Sequence, residues 1–275
     1  MAGTLYIVAT PIGNLEDLTY RAARILGEVA VVACEDTRQT RKLLDHYSLR
    51  TPAVSYHEHN EASRTVELCQ RLEAGESVAL VSDAGTPLVS DPGYRLVREA
   101  SARGIAVVPL PGASAVLAAL AASGLATDHF CFTGFLPSKT AARRKLFESW
   151  APAAETIVAF ESPHRIVEAL ADLAAVLPSR LIVMARELTK LHEEFLRGPV
   201  EEVAAAVTAR GGVRGEITLL IAKAELPVLS EATPAALRGE VAALESAGRE
   251  RGEAIKEVAR RRGLGKREVY QAVHG

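Results

Sequence analysis

The turn at residues 83–87, Asp-Ala-Gly-Thr-Pro, combines residue types that could hold a small ligand. It follows directly on ESVALVS, an apolar run with the composition of a buried strand. Asp83 and Thr86 bring polar side chains, Gly85 lets a ligand approach the backbone, and Pro87 restricts the conformation of Thr86. The pattern indicates a clamp for a small polar molecule. A tight turn closed by an Asx hydrogen bond is the alternative.

Two further glycine-bearing turns also follow apolar runs. One lies in ATPIGNLEDLT at residues 9–19, and the other lies in PLPGASAV at residues 109–116. The first matches neither GxGxxG nor GxxxxGKS/T, so the phosphate-binding loops of nicotinamide and P-loop enzymes are not indicated. Three such turns on neighbouring strands would lie at the same edge of a sheet. We therefore predict that they share one cleft.

Strand-length apolar runs alternate with amphipathic stretches through the first part of the chain. This repeated β-α pattern predicts a mostly parallel sheet covered by helices on both faces, with ligands at the carboxyl ends of the strands. The predicted strands are 4–10, 29–35, 52–56, 76–83 and 105–111, and the predicted helices lie near 17–27, 37–47, 61–74 and 93–103.

The pattern changes after residue 125, where strands are no longer regularly separated by helices. We predict strands at 129–135, 155–161, 180–188, 192–198 and 215–223, with one helix, VEEVAAAVTAR, between the last two. This predicts a second α/β domain with a mixed sheet. The predicted organisation is an N-terminal domain at 1–112, a second domain at 113–225, and a linker and helical tail at 226–275, with the linker reaching residue 238.

Composition excludes several classes of protein. With 48% apolar and 24% charged residues, the 275-residue chain is typical of a globular protein large enough for two domains. Cys34, Cys69 and Cys131 form no CxxC pair, so neither a disulfide framework nor a thiolate zinc site is indicated. The first residues show no basic leader, and no apolar run reaches the roughly 18 residues of a membrane span. We expect a cytoplasmic protein.

Eight sequence motifs occur in one order along residues 3–223. They are LYIVATPIGNLEDLTYRA, CEDTRQTRKLL, LVSDAGTPLVSDPG, PLPGASA, FTGFLP, FESPHRI, RELTKLHEE and RGEITLLI. Together they resemble the tetrapyrrole methylase superfamily, the class III S-adenosylmethionine (SAM) methyltransferases. Within it, they are most similar to bacterial members that methylate a cytidine ribose 2′-hydroxyl in 16S rRNA of the small ribosomal subunit.

The resemblance implies two α/β domains with SAM in the cleft between them. The first-domain turns would lie near the methionine end of SAM, and the second-domain stretches would border its adenosine. The implied cofactor residues are Pro11, Gly13, Asn14, Asp83, Ala84, Gly85, Thr86, Ser114, Ala115, Thr133, Phe135, Leu136, Glu216, Ile217 and Thr218. The resemblance also implies a homodimer, since members of the superfamily commonly pair.

Transfer of a methyl group to a ribose oxygen requires alignment, exclusion of water and an acceptor for the hydroxyl proton. Glu35 and Asp36 end the second predicted strand, and Glu161 ends a strand in the second domain. These three carboxylates are the candidate bases. Asp36 could instead cap the helix that begins near Thr37.

Basic residues mark two candidate RNA contacts. Arg38, Arg41 and Lys42 follow the first carboxylates, and His164 and Arg165 follow Glu161. Guanidinium groups suit phosphate oxygens, although isolated basic residues are more often surface charge. His57, His59 and Glu61 have no metal-ligand spacing that indicates a site, and we predict no metal.

The C-terminal tail is basic although the whole chain has a net charge of −2. From Arg249 onward there are eight Lys or Arg against four Asp or Glu. Ala259, Gly263 and Val269 have the spacing of a helix-turn-helix, with Ile255, Val258 and Tyr270 available for packing. Its candidate RNA contacts are Arg260, Arg261, Arg262, Lys266 and Arg267. A solvated helical face is the alternative for the basic charge, and a helical hairpin packed on the body is the alternative for the helix-turn-helix spacing.

Two other functions remain open at this stage. One is methylation of a tetrapyrrole ring carbon by an enzyme of the same superfamily. The other is a noncatalytic RNA-binding module that has kept a ligand cleft. The basic tail favours an RNA substrate over a tetrapyrrole, and the acidic and glycine-bearing turns favour an enzyme over a binding module.

Overall fold

The structure is a computed structural model that describes residues 2–224 and 232–274. The chain separates into two compact units, Met1–Ala224 and Glu225–Gly275. Among the described residues, no helix is long and apolar enough to cross a membrane. The predicted domain boundary near residue 112 stays a prediction, since both α/β portions belong to the first unit.

The first sheet contains five strands that all run parallel. They are β1 (Thr4–Val8), β2 (Val31–Cys34), β3 (Ala53–Ser55), β4 (Val78–Leu80) and β5 (Ala106–Leu110), in the spatial order β3-β2-β4-β1-β5. The three strands that precede the glycine-bearing turns, β4, β1 and β5, are therefore neighbours. This arrangement confirms the parallel sheet predicted from the near-continuous apolar runs.

Helices cover both faces of this sheet because alternate strand residues point to opposite sides. These helices are α1 (Tyr20–Glu28), α2 (Thr37–His46), α3 (Glu61–Glu73) and α4 (Tyr94–Ala102). Leu5, Val78 and Leu80 pack with residues of α3 and α4, whereas Val8 and Ala79 pack with residues of α1 and α2. The two apolar clusters leave the carboxyl ends of the strands free to carry the polar turns.

The second sheet is mixed and lies in the same compact unit. Its strands β6 (Phe130–Phe135), β7 (Thr156–Glu161), β8 (Leu181–Arg186), β9 (Glu194–Pro199) and β10 (Ile217–Ile221) have the order β6-β7-β10-β8-β9. Only β6 and β7 are parallel; β10 runs antiparallel to both β7 and β8, and β9 runs antiparallel to β8. The mixed sheet and the helix before β10 agree with the sequence prediction.

Four helices cover this second sheet. They are α5 (Ala115–Ser123), α6 (Thr140–Ser149), α7 (Ile166–Val176) and α8 (Val200–Ala209). Residues of α6, α7 and α8 form one apolar cluster with Ile157 and Met184, whereas residues of α5 pack with Val158 and Val183. Neighbouring residues of the same strand thus pack on opposite faces of the sheet. Helix α5 lies on the face that carries the cleft described below.

The described part of the tail, residues 232–274, contains three helices: α9 (Pro234–Ser246), α10 (Arg251–Arg262) and α11 (Lys266–His274). Gly263 ends α10 in the left-handed region, with φ +63°, and Ala259 and Val269 are buried. The predicted helical tail and its turn are present. The predicted packing of Tyr270 is wrong: Tyr270 is 51% exposed and its ring stacks on His274 at 4.1 Å.

The predicted linker at 226–238 extends too far. Residues 225–231 lie outside the described residues, and α9 already begins at Pro234. Thr233 caps α9 by accepting a hydrogen bond from the Ala236 amide at 3.2 Å. Proline was taken as a linker signal, but it fits the first turn of a helix because that position needs no amide donor.

Candidate functional site

The turn after β4 is fixed in place by hydrogen bonds to the end of β1. The Thr10 and Gly85 amides each donate to the carbonyl of the other at 2.9 Å, and the Ser82 hydroxyl donates to the Gly85 carbonyl at 3.1 Å. The Thr86 hydroxyl donates to the Ala113 carbonyl at 3.1 Å. Thr86 was predicted to offer a polar group to a ligand, but its hydroxyl proton joins the turns after β4 and β5 instead.

Only one of the three predicted glycine turns places its glycine in the cleft. Gly85 has φ +81° and lines the cleft. A Cβ on Gly13 would lie 2.4 Å from Lys190 Cγ, and a Cβ on Gly112 would lie 2.8 Å from Ala9 Cβ. Gly13 and Gly112 are therefore required for close packing, which a sequence pattern cannot distinguish from ligand approach.

A cleft of about 370 Å³ lies between the two sheets, and we call it the main cleft. It brings together the turn after β4, the start of α5, and strand ends from the second sheet. Of the residues predicted to bind the cofactor, those that line it are Asp83, Ala84, Gly85, Thr86, Ser114, Ala115, Phe135, Glu216, Ile217 and Thr218. Their role as cofactor ligands stays a prediction.

Five other predicted cofactor residues do not line the main cleft. Pro11 is buried, and the Asn14 side chain accepts from the Glu16 amide at 3.1 Å to begin a single 3-10 turn. Leu136 is 2% exposed in the core of the second sheet. The Thr133 hydroxyl donates to a backbone carbonyl of β7. Local hydrogen bonding and packing account for these residues, as they do for Gly13.

Several lining residues were missed by the sequence analysis. They are Ile12, Val89, Ser90, Asp91, Val116, Phe160, Ser162 and Pro163. Most are adjacent in sequence to a residue that was predicted to belong to the site, and Asp91 belongs to the same motif as Gly85. The available signal was the second Ser-Asp step in LVSDAGTPLVSDPG, Ser-Asp-Pro-Gly at residues 90–93, which we treated only as part of the motif.

Helix α5 begins at the wall of the main cleft. Ser114 is its N-cap and accepts from the Leu117 amide, while Ala115 and Val116 occupy the first turn. Amides in the first turn of a helix have no partner within the helix, and the helix dipole places partial positive charge there. This corner of the cleft suits an anionic group on a ligand.

Glu161 is a buried carboxylate in the wall of the main cleft. Its Oε1 accepts from the Ser162 amide at 2.6 Å and pairs with Arg165 at 2.7 Å. Its Oε2 is buried and has no hydrogen-bond partner among the described residues. An unsatisfied buried acceptor is costly, so this oxygen suits a donor group on a bound ligand. The pairing also engages Arg165, which was predicted to contact RNA.

The two carboxylates predicted after β2 differ in what they contact. Asp36 caps α2, accepts from the Arg38 amide at 2.8 Å, and forms an ion pair with the Arg38 side chain. These bonds lower the pKa of Asp36 to about 2, so it is a poor proton acceptor. Burial, and secondarily the charge of Asp83, raises the pKa of Glu35. The capping alternative for Asp36 is thus what the structure shows.

The pKa of the Asp91 carboxylate is strongly raised at this edge of the sheet. Burial raises its pKa from the ordinary 3.8 to about 6, the charges of Glu35 and Asp83 add to the increase, and a hydrogen bond with Ser82 opposes it. The residue before it, Ser90, has φ +68°, and Leu88 has φ +71°. Non-glycine residues in this region are strained, and such strain clusters at functional sites.

A second cavity of about 560 Å³ adjoins the main cleft, and we call it the side cavity. Ser90 and Asp91 line both cavities, so they form a shared wall. The remaining lining residues of the side cavity are Glu58, Glu61, Pro92, Gly93, Tyr94, Arg95 and Arg98. Sequence analysis assigned no ligand-binding role to these residues.

The predicted RNA contacts have different environments. Arg38 pairs with Asp36, and the Lys42 ammonium donates to the Gln39 side chain at 3.0 Å. Arg41 is half-buried and His164 is exposed. Among the described residues, no group of three or more His, Cys, Asp or Glu could hold a metal ion.

In the tail, Arg260, Arg261, Lys266 and Arg267 are exposed, whereas the Arg262 side chain is only 4% exposed and pairs with Glu240 on α9. An arginine held inside the helical unit cannot reach a phosphate without breaking that pair. This arrangement argues against Arg262 as an RNA contact and favours a role in holding α10 on α9.

The sequence profile of the family described as Tetrapyrrole (Corrin/Porphyrin) Methylases matches residues 4–204. A solved structure, uroporphyrin-III C-methyltransferase from Thermus thermophilus complexed with S-adenyl homocysteine, has a TM-score of 0.56 at 22% identity. The superposition covers 80% of this chain and 97% of that one. At that identity the likeness establishes the fold, which is the tetrapyrrole methylase fold of two α/β portions with a cleft between them.

Closer relatives are found by sequence. A Halalkalibacterium halodurans protein is 46% identical over 99% of this chain and 95% of its own length. A Synechocystis sp. protein is also 46% identical, over 98% of this chain and 96% of its own length. Both are named ribosomal RNA small subunit methyltransferase I. The chain is a methyltransferase that belongs to the ribosomal RNA small subunit methyltransferase I family.

Proposed function

We propose that the protein transfers the methyl group of SAM to the 2′-oxygen of a cytidine ribose in 16S rRNA of the small ribosomal subunit. The main cleft carries this proposal, because it joins an anion-binding helix start, a glycine-bearing turn and a buried unsatisfied carboxylate oxygen. The names of the relatives support an RNA substrate.

The residues of the main cleft fit SAM in three respects. The start of α5 suits the methionine carboxylate, and Glu161 Oε2 suits a hydroxyl or ammonium donor. Phe135 is 57% exposed, and its ring centroid lies 5.5 Å from that of Phe160, so the cleft offers aromatic surface to an adenine. When bound, SAM supplies a methyl group that its positively charged sulfur has already activated.

The chain then has to hold the ribose oxygen, exclude water and accept the hydroxyl proton. We assign proton acceptance to Asp91, whose pKa is kept high by burial and, second, by the charge of Glu35. Asp91 lies in the wall that both cavities share, and its pKa of about 6 is close to that of an effective base at neutral pH. Asp36 and the Oε1 atom of Glu161 are occupied by internal pairs.

An RNA substrate is favoured over a tetrapyrrole for a specific reason. The relatives named for rRNA methylation are 46% identical over nearly the whole chain, whereas the tetrapyrrole enzyme structure is 22% identical and supports the fold alone. The perturbed Asp91 and the strained turn beside it favour an enzyme over a noncatalytic binding module. A ribosomal substrate would place the protein in the cytoplasm.

The proposal is tested by methyl transfer from radiolabelled SAM to small ribosomal subunits isolated from cells that lack the protein. Parallel reactions contain naked 16S rRNA and uroporphyrinogen. We expect label in the RNA, in a ribose methyl group of a cytidine. Label in the tetrapyrrole alone, or on a base atom of the RNA, would contradict the proposal.

The basic tail is expected to contribute to RNA binding and not to SAM binding. Deleting residues 228–275 should leave the Kd for SAM within about threefold, weaken binding to small subunits and reduce its salt dependence. A finer variant changes Arg260, Arg261, Lys266 and Arg267 to alanine and keeps the structural Arg262–Glu240 pair. Each lost phosphate contact should reduce the log–log salt slope by about 0.7 to 0.9. An unchanged slope and unchanged kcat/KM would show that the tail does not bind RNA.

We also propose a homodimer, from the resemblance to the superfamily. Light scattering at micromolar concentration should give about twice the chain mass of 29.3 kDa. A mass of one chain over the same concentration range would contradict this prediction.

A further inference from the structure

The side cavity opens beside the proposed proton acceptor but plays no part in the SAM site described above. It is lined mainly by the loop that precedes α4 and by the start of α4, together with Glu58 from the loop after β3 and Glu61 at the start of α3. Because Ser90 and Asp91 also line the main cleft, a group bound in the side cavity would be next to Asp91. The cavity is thus placed to hold the part of the substrate that adjoins the reacting ribose.

An exposed aromatic ring faces this cavity. Tyr94 is the first residue of α4 and is 68% exposed, although tyrosine rings usually pack against other groups. The guanidinium carbon of Arg98, one helical turn later, lies 5.7 Å from the ring centroid. An exposed aromatic ring beside an arginine is the combination on which unpaired bases stack.

The cavity is also lined by a guanidinium and a carboxylate that have no ion-pair partner among the described residues. Arg95 is paired with Glu61 at 3.1 Å, but Arg98 has no carboxylate partner among the described residues. Glu58 is exposed and has no hydrogen-bond or ion-pair partner within that part of the chain. Arg98, whose guanidinium lies over the Tyr94 ring, and Glu58 therefore line the same cavity without a counter-ion among the described residues.

We infer that the side cavity binds the base of the target nucleotide and selects cytosine, an inference that rests on the proposed RNA methylation. The base stacks on Tyr94, Arg98 donates hydrogen bonds to its ring nitrogen or carbonyl oxygen, and Glu58 accepts one from its exocyclic amino group. A carboxylate accepts well from cytosine N4. Uracil has a carbonyl oxygen at the corresponding position, which the Glu58 carboxylate would repel.

The first test measures steady-state methylation of small subunits by variants at two exposed tyrosines. Tyr94→Ala should lower kcat/KM for the subunit about tenfold or more, mainly through KM, because base–aromatic stacking is lost. Tyr94→Phe keeps the stacking surface and should stay within about threefold of the unsubstituted protein. Tyr20 is the matched control, since it is also the first residue of a helix and is 98% exposed. Tyr20→Ala should leave kcat/KM unchanged.

The second test measures base selection with subunits reconstituted from 16S rRNA that carries cytidine or uridine at the methylated position. Glu58→Gln should lower the cytidine-to-uridine ratio of kcat/KM by about tenfold, because a carboxamide can donate to the uracil carbonyl. Glu148→Gln is the control, since Glu148 is exposed on α6 and does not line either cavity. It should leave the ratio unchanged.

The outcomes separate this inference from the proposed function. Calorimetry should show the same Kd for SAM in the Tyr94 and Glu58 variants as in the unsubstituted protein. If the unsubstituted protein methylates the RNA but Tyr94→Ala behaves like Tyr20→Ala and Glu58→Gln keeps the ratio, the base subsite is wrong and the proposed function stands. If the unsubstituted protein transfers no methyl group to RNA, both are wrong.

Discussion

Replacing Gly85 with valine is expected to raise the Kd for SAM at least about 100-fold, which corresponds to roughly 2.7 kcal/mol. Gly85 adopts φ +81° in the wall of the main cleft, where a Cβ would lie 3.2 Å from Ile12 Cγ2. Valine would therefore add both backbone strain and side-chain bulk at the place where the ligand meets the backbone. Titration calorimetry with SAM measures the effect.

A control substitution at a second glycine separates the effect of backbone strain from the effect of side-chain bulk in the main cleft. Gly104 has φ +70°, and a Cβ there would meet nothing within 4 Å. Gly104→Val should carry a similar backbone strain and lose thermal stability, but it should bind SAM like the unsubstituted protein. If a folded Gly85→Val variant binds SAM with undiminished affinity, the turn after β4 is not part of the cofactor site.

Replacing Asp91 with asparagine is expected to lower kcat about 100-fold or more at neutral pH, because a proton acceptor near the ribose is lost. The Kd for SAM should change less than about threefold. Burial raises the pKa of Asp91 to about 6 in the folded protein. Ionisation of this carboxylate therefore lowers the stability of the folded protein as pH rises from 3.8 to about 6. Asp91→Asn should therefore keep or raise Tm, which excludes unfolding as the cause of the lost activity.

The pH dependence of kcat tests the same assignment. A base must be deprotonated to act, so kcat should rise with pH through about 6 and then level off. Glu35 is the second cause of the raised pKa, after burial. Glu35→Gln should therefore move the midpoint to lower pH. A kcat within about threefold of normal and an unchanged pH profile in Asp91→Asn would show that another group accepts the proton.

The architecture was largely predictable because it depends on local patterns. Near-continuous apolar runs identified the parallel strands β1, β4 and β5, and a glycine at the right spacing identified the turn between α10 and α11. The strand ends were predicted too long, for example 76–83 for β4 at Val78–Leu80. The extra residues at its carboxyl end lead into the turn whose Gly85 pairs with Thr10, a partner far away in the sequence.

The site was less predictable because its chemistry arises from contacts across the fold. Gly13 and Gly112 resemble ligand-binding glycines in sequence, but Lys190 and Ala9 occupy the space beside them. Arg262 lies in a run of three arginines, and only its pairing with Glu240 on another helix distinguishes it from its neighbours.

Asp91 is a functional candidate that local sequence patterns could not identify. Its raised pKa requires burial together with the charge of Glu35, which lies on a distant segment of the chain, and of Asp83. No local pattern carries that information. The motif that contains Asp91 could be recognised from the sequence, whereas its proposed role could be inferred only from the folded arrangement.

The most direct test of the central claim is mass spectrometric mapping of ribose methylation in 16S rRNA from cells that lack the protein. The RNA should lose one 2′-O-methylcytidine and keep its other modifications. Expression of the unsubstituted protein should restore that methyl group, and expression of the Asp91→Asn variant should not. A ribose methylation pattern in 16S rRNA that is identical with and without the protein would contradict the account.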